Sequence, residues 1–201
     1  IHDGLIDVFN GYHMGVTAEN ISNNWNISKS DQDNFALNSQ IKASNAQDEG
    51  RFDEEICSVK VKVNREDIFV DKDEYIRKDI SLDNIERLKP IFKKDGTVTA
   101  GNSSGINDGA AALVIMTYEE AQKRDLHPLA KIVSWGQEGV DPALMGSGPI
   151  PASRSALAKA GWAIEDLDLV ELNEAFAAQA CACAKDLQID ASKLNVNGGA
   201  I

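Results

Sequence analysis

The spacing of hydrophobic residues changes along the chain, and both strand and helix signals occur. Val59, Val61 and Val63 are separated by Lys60 and Lys62, a period of two that is typical of a strand with one face in solvent. Stretches of this kind alternate with stretches whose start and stop signals favour helices. The pattern therefore predicts an α/β protein.

Three further stretches are predicted to be strands. Residues 110–116 read Ala-Ala-Ala-Leu-Val-Ile-Met directly after Gly109, and this length and position favour a buried strand, although periodicity alone does not exclude a helix. Residues 130–140 are predicted to form a strand, and residues 167–172 a short buried one. Residues 64–80 are highly charged, so we expect them to lie in solvent.

Capping residues and stop signals predict the helices. Ser30 followed by Asp33 resembles a capping box, and its helix is expected to run to about Glu49 and stop at Gly50. Five more helices are predicted from similar signals: one capped by Thr17 with Asn20 at its third position, one from Ser81 that ends before Pro90, one capped by Thr117 with Glu120, one from Pro149 and Pro151 that stops at Gly161, and one over residues 174–187. Residues 96–109 remain as a long loop rich in glycine, serine and asparagine.

Charge and composition exclude several classes of protein. The 201 residues suffice for one domain or two small ones, and 20 basic against 32 acidic residues give a net charge of −12. That sign is wrong for a broad surface that binds nucleic acid or anionic membrane, although ordinary solubility explains the charge equally well. No apolar run approaches the ~20 residues of a membrane helix. We therefore expect no nucleic-acid partner and no membrane.

The number of cysteines and the residues at the two chain ends bear on the cellular compartment of the protein and on whether the chain is a whole fold. Three cysteines are a low, odd number that indicates a reducing compartment, and the start of the chain, from Ile1 to Gly4, does not resemble a signal peptide. A cytoplasmic location is therefore expected. The chain starts at Ile1 without a preceding turn or cap. Residues 195–197 read as a strand that enters the Gly198-Gly199 turn, and the chain stops at Ile201, so we expect a piece cut from a larger fold.

The first candidate for chemistry is His13, which lies between Gly11 and Gly15. A histidine near the N-terminus of a helix can hydrogen-bond an acyl oxygen or a phosphate. The alternative interpretation is a loop histidine that packs on Tyr12.

Residues 98–109 are the second candidate. Their glycines let a ligand approach the backbone closely, and their Ser and Asn side chains supply hydrogen bonds. Gly101 and Gly105 give a GxxxG spacing without a following Lys-Ser/Thr, so the loop is not a familiar phosphate-binding loop. A structural turn remains the alternative.

Asn173 is the third candidate, because it follows a predicted buried strand and precedes an Ala-rich helix. Functional groups of open α/β sheets lie at the carboxyl ends of strands. The alternative is that Asn173 only caps the helix, with Glu174 favoured by the helix N-terminus.

Metal sites and activated nucleophiles are not predicted. The histidines are few, and Cys181 and Cys183 lie two apart on a predicted helix, so their side chains point in different directions. The chain has no GxSxG motif. A reactive cysteine is an exposed thiolate in positive surroundings. Cys57 precedes the Lys-alternating strand, and Cys181 and Cys183 lie inside an Ala-rich helix, so none of the three is a convincing candidate.

Several segments together carry a family resemblance. They are Tyr12-His13-Met14-Gly15 with Thr17-Ala18-Glu19-Asn20, residues 98–112, Met145-Gly146-Ser147-Gly148-Pro149-Ile150-Pro151, Asn173-Glu174-Ala175-Phe176-Ala177-Ala178 and residues 195–201. On these motifs the whole chain resembles the thiolase family, and most closely its acetyl-CoA acetyltransferases (acetoacetyl-CoA thiolases).

The resemblance implies a fold and a division of the chain. Thiolases have two similar βαβαβαββ halves in a five-layer αβαβα core, with a loop domain inserted into the first half. By resemblance, residues 1–106 are the later part of the CoA-binding loop domain, residues 107–125 end the first half, and residues 126–201 begin the second. The expected fold is thus an incomplete thiolase fold with most of its loop domain.

The resemblance also implies a reaction, the reversible Claisen condensation of two acetyl-CoA molecules to acetoacetyl-CoA and CoA, within fatty acid metabolism. CoA and acetyl-CoA are substrates, and no separate cofactor is expected. The family's two catalytic cysteines and its Gly-His-Pro histidine have no counterparts here, since Cys57, Cys181 and Cys183 match none of them. We therefore expect these residues alone to be inactive. A non-catalytic CoA-binding module and an interaction protein with an acidic surface are the alternatives.

Site residues follow from the same resemblance, position by position. Asn173 would hold a water in an oxyanion hole, Met14 would wall the acyl pocket, and the pair His13-Met14 indicates short acyl substrates. Ser104 would bond the pantetheine amide and Arg77 would lie near the adenine end. The full set of implied CoA contacts is Leu5, His13, Arg77, Ala100, Ser104, Met145, Ala175 and Phe176. Thiolases are dimers or tetramers, so a homo-oligomer is expected.

Overall fold

Helices outnumber strands in the computed structural model, which describes residues 2–201. The helices are α1 (His2–Leu5), α2 (Met14–Trp25), α3 (Lys29–Asp48), α4 (Leu82–Glu86), α5 (Tyr118–Lys123), α6 (Pro149–Ala160) and α7 (Ala177–Leu187), the 3-10 helices are Pro142–Ser147 and Ile164–Asp166, and the strands are β1 (Val59–Val63) and β2 (Glu66–Val70). None of the helices in this part of the chain is both long and apolar enough to cross a bilayer.

Helix α3 confirms the predicted helix but not its predicted cap. Ser28, not Ser30, is the N-cap: its hydroxyl accepts from Asp31 N at 3.1 Å, and Asp31 Oδ2 accepts from Ser28 N at 2.9 Å. Ser30 already lies inside the helix, and Asp33 is buried instead of capping. The hydrogen bonds from Ser28 lower the pKa of Asp31.

Helix α2 begins earlier than predicted, because His13 and not Thr17 caps it. His13 Nδ1 accepts a hydrogen bond from Gly15 N at 3.0 Å. Thr17 lies one turn inside the helix, where its hydroxyl donates to Met14 O at 2.6 Å. The helix therefore presents Met14 in its first turn.

The remaining helix signals give mixed outcomes. Ser81 caps α4, Thr117 caps α5, and α6 ends at Gly161, which has a φ of 71°, all as predicted. Helix α7 begins at Ala177, three residues later than predicted, because the chain before it is extended and Phe176 pairs with Ser103 in an antiparallel bridge.

The only ladder within residues 2–201 is an antiparallel hairpin. Strand β1 confirms the strand predicted from alternating valines and lysines, and it pairs with β2 from Val59 opposite Val70 to Val63 opposite Glu66. Strand β2 lies in the charged stretch that was expected only to be exposed, and all of its residues are exposed. Asn64 and Arg65 make the two-residue turn, both with positive φ.

Three predicted strands do not form. Residues 110–116 and 130–140 have no regular structure, and Leu113 and Val114 are 86% and 88% exposed. The prediction for residues 167–172 is also wrong, since only one parallel bridge forms there, between Val170 and Leu194. A buried strand needs neighbours that pair its backbone and cover its faces, and residues 2–201 contain none for these runs.

The core is centred on α7. Its buried face is made of small residues, with Ala177, Ala178, Ala180 and Ala182 fully buried, so that α2 and α3 approach it closely. Larger side chains fill the gaps on either side, including Ile21 of α2. This packing places the start of α7 beside the start of α2.

Candidate functional site

A cavity of about 220 Å³ opens between α2, the 3-10 helix Pro142–Ser147 and the first turn of α7. Hydrophobic side chains form most of its wall, among them Met14, Ile21, Met145, Leu172 and Phe176. Three polar side chains also line it: Thr17, Asn173 and Gln179. An apolar cavity with a few polar groups is the usual form of a small-molecule site.

Five of the site residues that the sequence predicted meet at this cavity. They are Met14, Met145, Asn173, Ala175 and Phe176, which come from three separate segments of the chain. The other predicted residues do not line it. Their positions, given below, form a surface that leads away from the cavity.

His13 lies at the edge of this group, and its ring has two partners. Its Nδ1 is occupied by Gly15 N, and its ring stacks on Phe92 with centroids 4.8 Å apart. Phe92 in turn packs edge-on against Phe176 at 6.1 Å. The ring partner of His13 is thus Phe92, to which no sequence pattern points. Because Nδ1 is an acceptor here, Nε2 carries the proton of a neutral ring and can donate to a ligand.

Gly15 is what makes room for this stack. A Cβ at Gly15 would lie 2.3 Å from atoms of the Phe92 ring, so only glycine lets the ring approach the start of α2. Gly15, two residues after His13, therefore makes room for the aromatic contact.

Buried side chains hold the start of the glycine-rich loop, residues 96–109, against the helices. Both oxygens of the Glu19 carboxylate accept from Thr97 N at 2.9 Å, and Oε1 also accepts from Val98 N at 2.9 Å. Asn102 donates to Asp33 Oδ1 at 2.9 Å and accepts from Thr99 N at 2.7 Å. The buried Glu19 carboxylate thus binds the backbone of this loop, and the buried Asp33 carboxylate binds the Asn102 side chain, so both anchor the loop to the helices.

The end of this loop joins the start of α7. Ser104 N donates to Ala175 O at 3.2 Å, and Ala177 N donates to Asn102 O at 2.9 Å. Ser104 is half-buried, and Ala100 is exposed. Of the two predicted contacts on the loop, Ser104 therefore lies beside Ala175 and Phe176, whereas for Ala100 only exposure is established.

Asn173 is exposed, and within residues 2–201 its side chain makes no hydrogen bond. It does not cap α7, so the capping interpretation is wrong: the helix begins four residues later, after Phe176. Its neighbours are firmly anchored, since the Asn195 side chain bonds both Leu172 N and Leu172 O, at 2.7 and 2.8 Å. Asn173 therefore presents a free amide on a rigid support.

Glu174, the residue that follows Asn173, is also anchored, and it is fully buried. Its carboxylate accepts from Ser39 Oγ at 2.6 Å, Asn195 Nδ2 at 2.7 Å and Ile201 N at 3.2 Å. It does not serve as a charge at the N-terminus of α7, as the alternative interpretation had it. Nothing in the sequence pattern identified Asn195 or Ser39 as its partners.

Arg77 and Leu5 lie away from the cavity. Arg77 is exposed, its backbone N donates to Gln40 Oε1 at 2.8 Å, and its guanidinium lies 5.9 Å from the Tyr75 ring centroid. Leu5 is half-buried at the end of α1, next to Ile6, which bridges His13. The predicted acyl-end residues thus meet at the cavity, whereas the residue predicted at the adenine end stands on the outer surface.

The cysteines are poorly placed for nucleophilic chemistry. Burial raises the pKa of Cys181 to about 12 and that of Cys183 to about 11, so both remain protonated near neutral pH. Cys57 is exposed and does not line the cavity. Residues 2–201 contain no cluster of His, Cys, Asp and Glu side chains suited to a metal ion.

Known proteins resemble this chain over its whole length. The family description "Thiolase, N-terminal domain" matches residues 1–119, and "Thiolase, C-terminal domain" matches residues 126–201. Proteins named acetyl-CoA acetyltransferase from Rhizobium meliloti (strain 1021) and Shinella zoogloeoides are each 60% identical over all 201 residues, which cover 51% of each relative. The chain thus spans about half the length of these curated relatives.

Solved structures give the same result. The Bacillus anthracis acetyl-CoA acetyltransferase superposes with a TM-score of 0.96 at 47% identity, covering 98% of this chain and 50% of that one. A human mitochondrial 3-ketoacyl-CoA thiolase in complex with CoA superposes with a TM-score of 0.93 at 44% identity, covering 98% and 49%. The helices and loops described above are therefore arranged as in about half of each of these proteins.

Proposed function

This chain belongs to the thiolase family, and from that premise we propose that it is part of an acetyl-CoA acetyltransferase. The whole enzyme would condense two acetyl-CoA molecules to acetoacetyl-CoA and CoA, and would catalyse the reverse thiolysis. CoA and its thioesters are the substrates, and we propose no separate cofactor or metal. The 60% identity to proteins of that name over the whole chain supports this reaction over other thiolase reactions.

The cavity between α2 and α7 is the observation that carries the proposal. A thioester needs an apolar space for its acyl group and hydrogen-bond donors for the oxygen that gains charge during Claisen chemistry. Met14 and Met145 supply the apolar walls, and Asn173 supplies an amide on a rigid turn. Asn173 would hold a water that hydrogen-bonds the developing oxyanion. The cavity volume of about 220 Å³ suits a short acyl group.

The CoA moiety would run outward from this cavity along the loop held by Glu19 and Asn102. We propose contacts at His13, Ala100, Ser104, Ala175 and Phe176 close to the acyl end, Leu5 beside them, and Arg77 near the adenine. The exposed guanidinium of Arg77 suits a phosphorylated nucleotide.

These 201 residues supply binding and oxyanion groups, and the nucleophile comes from elsewhere in the whole enzyme. Covalent acyl transfer needs an activated thiolate. The raised pKa values of Cys181 and Cys183 disfavour that role, and Cys57 lies away from the cavity. We therefore propose that the chain alone does not turn over. The whole enzyme is proposed to be a cytoplasmic homo-oligomer, dimer or tetramer, in fatty acid metabolism.

A non-catalytic CoA-binding module is the second candidate, and the protonated cysteines favour it. One assay separates the two: CoA-dependent loss of acetoacetyl-CoA, measured on this chain and on the full-length protein that contains it. Activity only in the full-length protein supports the enzyme. Absence of turnover in both, with CoA still bound, supports the module. Turnover by the 201 residues alone would contradict the proposal that the nucleophile lies outside them.

A further inference from the structure

Asn102 lies among the proposed CoA contacts, although the residue itself is fully buried. Two of those contacts, Ala100 and Ser104, lie two residues before it and two residues after it. Its carbonyl oxygen accepts from Ala177 N at 2.9 Å, which joins the glycine-rich loop to the residue that follows Phe176. The position of Asn102 therefore sets how the loop meets the start of α7.

The Asn102 side chain uses both of its N–H groups and its oxygen. Nδ2 donates to Thr97 O at 3.0 Å and to Asp33 Oδ1 at 2.9 Å, and Oδ1 accepts from Thr99 N at 2.7 Å. Thr97 and Thr99 belong to the loop itself, whereas Asp33 belongs to α3. Of these three hydrogen bonds, the one to Asp33 is therefore the one that ties the loop to a helix.

Asp33 is 1% exposed and is not among the residues that line the cavity, so it does not contact a ligand directly. Its other oxygen, Oδ2, pairs with Lys29 Nζ at 2.5 Å, and Lys29 also donates to Glu86 O at 3.2 Å. Lys29 thus supplies the opposite charge that a buried carboxylate needs. Because Lys29 and Asn102 are both donors, a carboxylate at position 33 satisfies the two together, whereas an amide would satisfy only one.

We propose that Asp33 is a positioning residue for CoA: through Asn102 it fixes the loop so that Ser104 and Phe176 form one preformed surface. This rests on the proposed function. A loop that is already ordered spares a ligand the free energy of ordering it. Without the Asp33 carboxylate, Asn102 would keep a buried N–H group without its partner, and the loop would have to become ordered when CoA binds.

The proposal concerns binding and not the chemical step. The amide that would hold the oxyanion water belongs to Asn173, whose two neighbours are bonded to Asn195 and not to Asp33. Loss of the Asp33 carboxylate should therefore raise the KM for CoA and leave kcat nearly unchanged. This combination is the kinetic signature of lost binding that ground state and transition state share.

Two replacements of Asp33 in the full-length protein that carries this chain test the proposal. Asp33→Ala removes both oxygens, whereas Asp33→Asn keeps one oxygen that can accept from Asn102 while the partly exposed Lys29 turns to solvent. In Asp33→Ala we expect the Kd for CoA, measured by titration calorimetry, and the KM for CoA in thiolysis of acetoacetyl-CoA to rise about tenfold. We expect kcat to stay within about twofold of the wild type.

Asp33→Asn is the rescue variant, and its Kd for CoA should stay close to that of the wild type. Both variants lose the ion pair with Lys29, so the difference between them isolates the hydrogen bond to Asn102. If Asp33 acted only through the ion pair, the two variants would be affected equally. If Asp33→Ala does not fold, Asp33→Ser removes the same carboxylate.

Asp31→Ala is the matched control. Asp31 is an exposed residue on the same helix, and its carboxylate is also hydrogen-bonded, but to Ser28 and not to the loop. Its replacement is expected to lower stability without changing the Kd for CoA. An unchanged Kd in folded Asp33→Ala or Asp33→Ser overturns the inference, and so does an equal rise in Asp33→Asn or in Asp31→Ala.

The two measurements also separate the inference from the proposed function. A wild type that binds CoA but does not cleave acetoacetyl-CoA overturns the proposed enzyme, and the Kd values of the variants then still decide the role of Asp33. A wild type that binds no CoA overturns both.

Discussion

Asn195 donates a hydrogen bond of 2.7 Å to the fully buried carboxylate of Glu174. The same asparagine pairs with both backbone polar groups of Leu172, so one side chain anchors the residues on either side of Asn173. Within residues 2–201, Glu174 forms no salt bridge, and its charge is compensated only by neutral donors. The position of the candidate oxyanion residue therefore depends on a buried carboxylate that never touches the cavity.

Glu174→Gln is expected to destabilise the protein by roughly 1–3 kcal/mol, because an amide retains one acceptor oxygen where three donors converge. Urea unfolding of the variant and the wild type measures the difference. Glu171→Gln is the control. Glu171 is largely exposed, and the partial burial of its carboxyl together with the nearby Glu174 charge raises its pKa, so loss of its charge is expected to cost no stability. Equal losses in the two variants would contradict the role given to Glu174.

Gly15→Ala is expected to cost about 1–3 kcal/mol, because a Cβ 2.3 Å from the Phe92 ring forces the ring off its stack with His13. Thermal unfolding gives the stability change, and the His13 ring resonances in NMR spectra report loss of the stack. Gly139→Ala, where nothing lies within 4 Å of the added Cβ, is expected to change neither. Unchanged His13 resonances in Gly15→Ala would show that the ring does not depend on this glycine.

Ser28→Ala is expected to cost about 1 kcal/mol, because it removes the N-cap of α3. Hydrogen bonds from Ser28 hold the pKa of Asp31 below its usual range, so the stability from Asp31 is present above the ordinary carboxyl pKa and is lost as pH falls through the lowered one. In Ser28→Ala the Asp31 pKa should rise, as an NMR titration would show. Ser30→Ala, inside the helix, should leave that pKa alone. If Ser30→Ala raised the Asp31 pKa or lowered the stability more than Ser28→Ala does, Ser30 would be the N-cap, as the sequence pattern predicted.

Local signals predicted the helices well and the strands poorly, for a physical reason. A cap or a stop glycine acts within a few residues, so Ser81, Thr117 and Gly161 could be identified from their neighbours alone. A strand depends on partners that are distant in sequence. Strand β1 forms because its partner β2 follows two residues later, whereas residues 110–116 have no partner within residues 2–201.

The candidate site was likewise only partly predictable. Met14, Met145 and Asn173 meet at the cavity, and it was the family resemblance, not periodicity, that pointed to them together. Phe92, Gln179 and Asn195 escaped notice because their roles arise from contacts between segments far apart in the chain. An aromatic residue, a glutamine and an asparagine have no local pattern that separates such roles from ordinary packing.

Val114→Glu tests the exposed state of residues 110–116. Val114 is 88% exposed, so in this 201-residue chain the charge should change the free energy of unfolding by less than ~0.5 kcal/mol. It should also weaken self-association, measured by light scattering, because it interrupts an exposed apolar run. Unfolding of Val114→Glu would instead show that the run is buried, as the sequence pattern predicted.

Thiol labelling tests the assignment of the cysteines. Cys57 is exposed, whereas burial raises the pKa of Cys181 to about 12 and that of Cys183 to about 11. At pH 8 we therefore expect one fast-reacting thiol per native chain and three after unfolding, with Cys57→Ser abolishing the fast phase.

The raised pKa values also make stability depend on pH. Because the folded state holds the thiol protons of Cys181 and Cys183 more tightly than the unfolded state does, their contribution to stability is full below the ordinary thiol pKa. It declines as pH rises from that value toward 12. Cys183→Ala should make the stability decline less steeply over this pH range. A fast-reacting thiol that remains in Cys57→Ser would identify an activated cysteine. It would also weaken the case that the nucleophile lies outside these 201 residues.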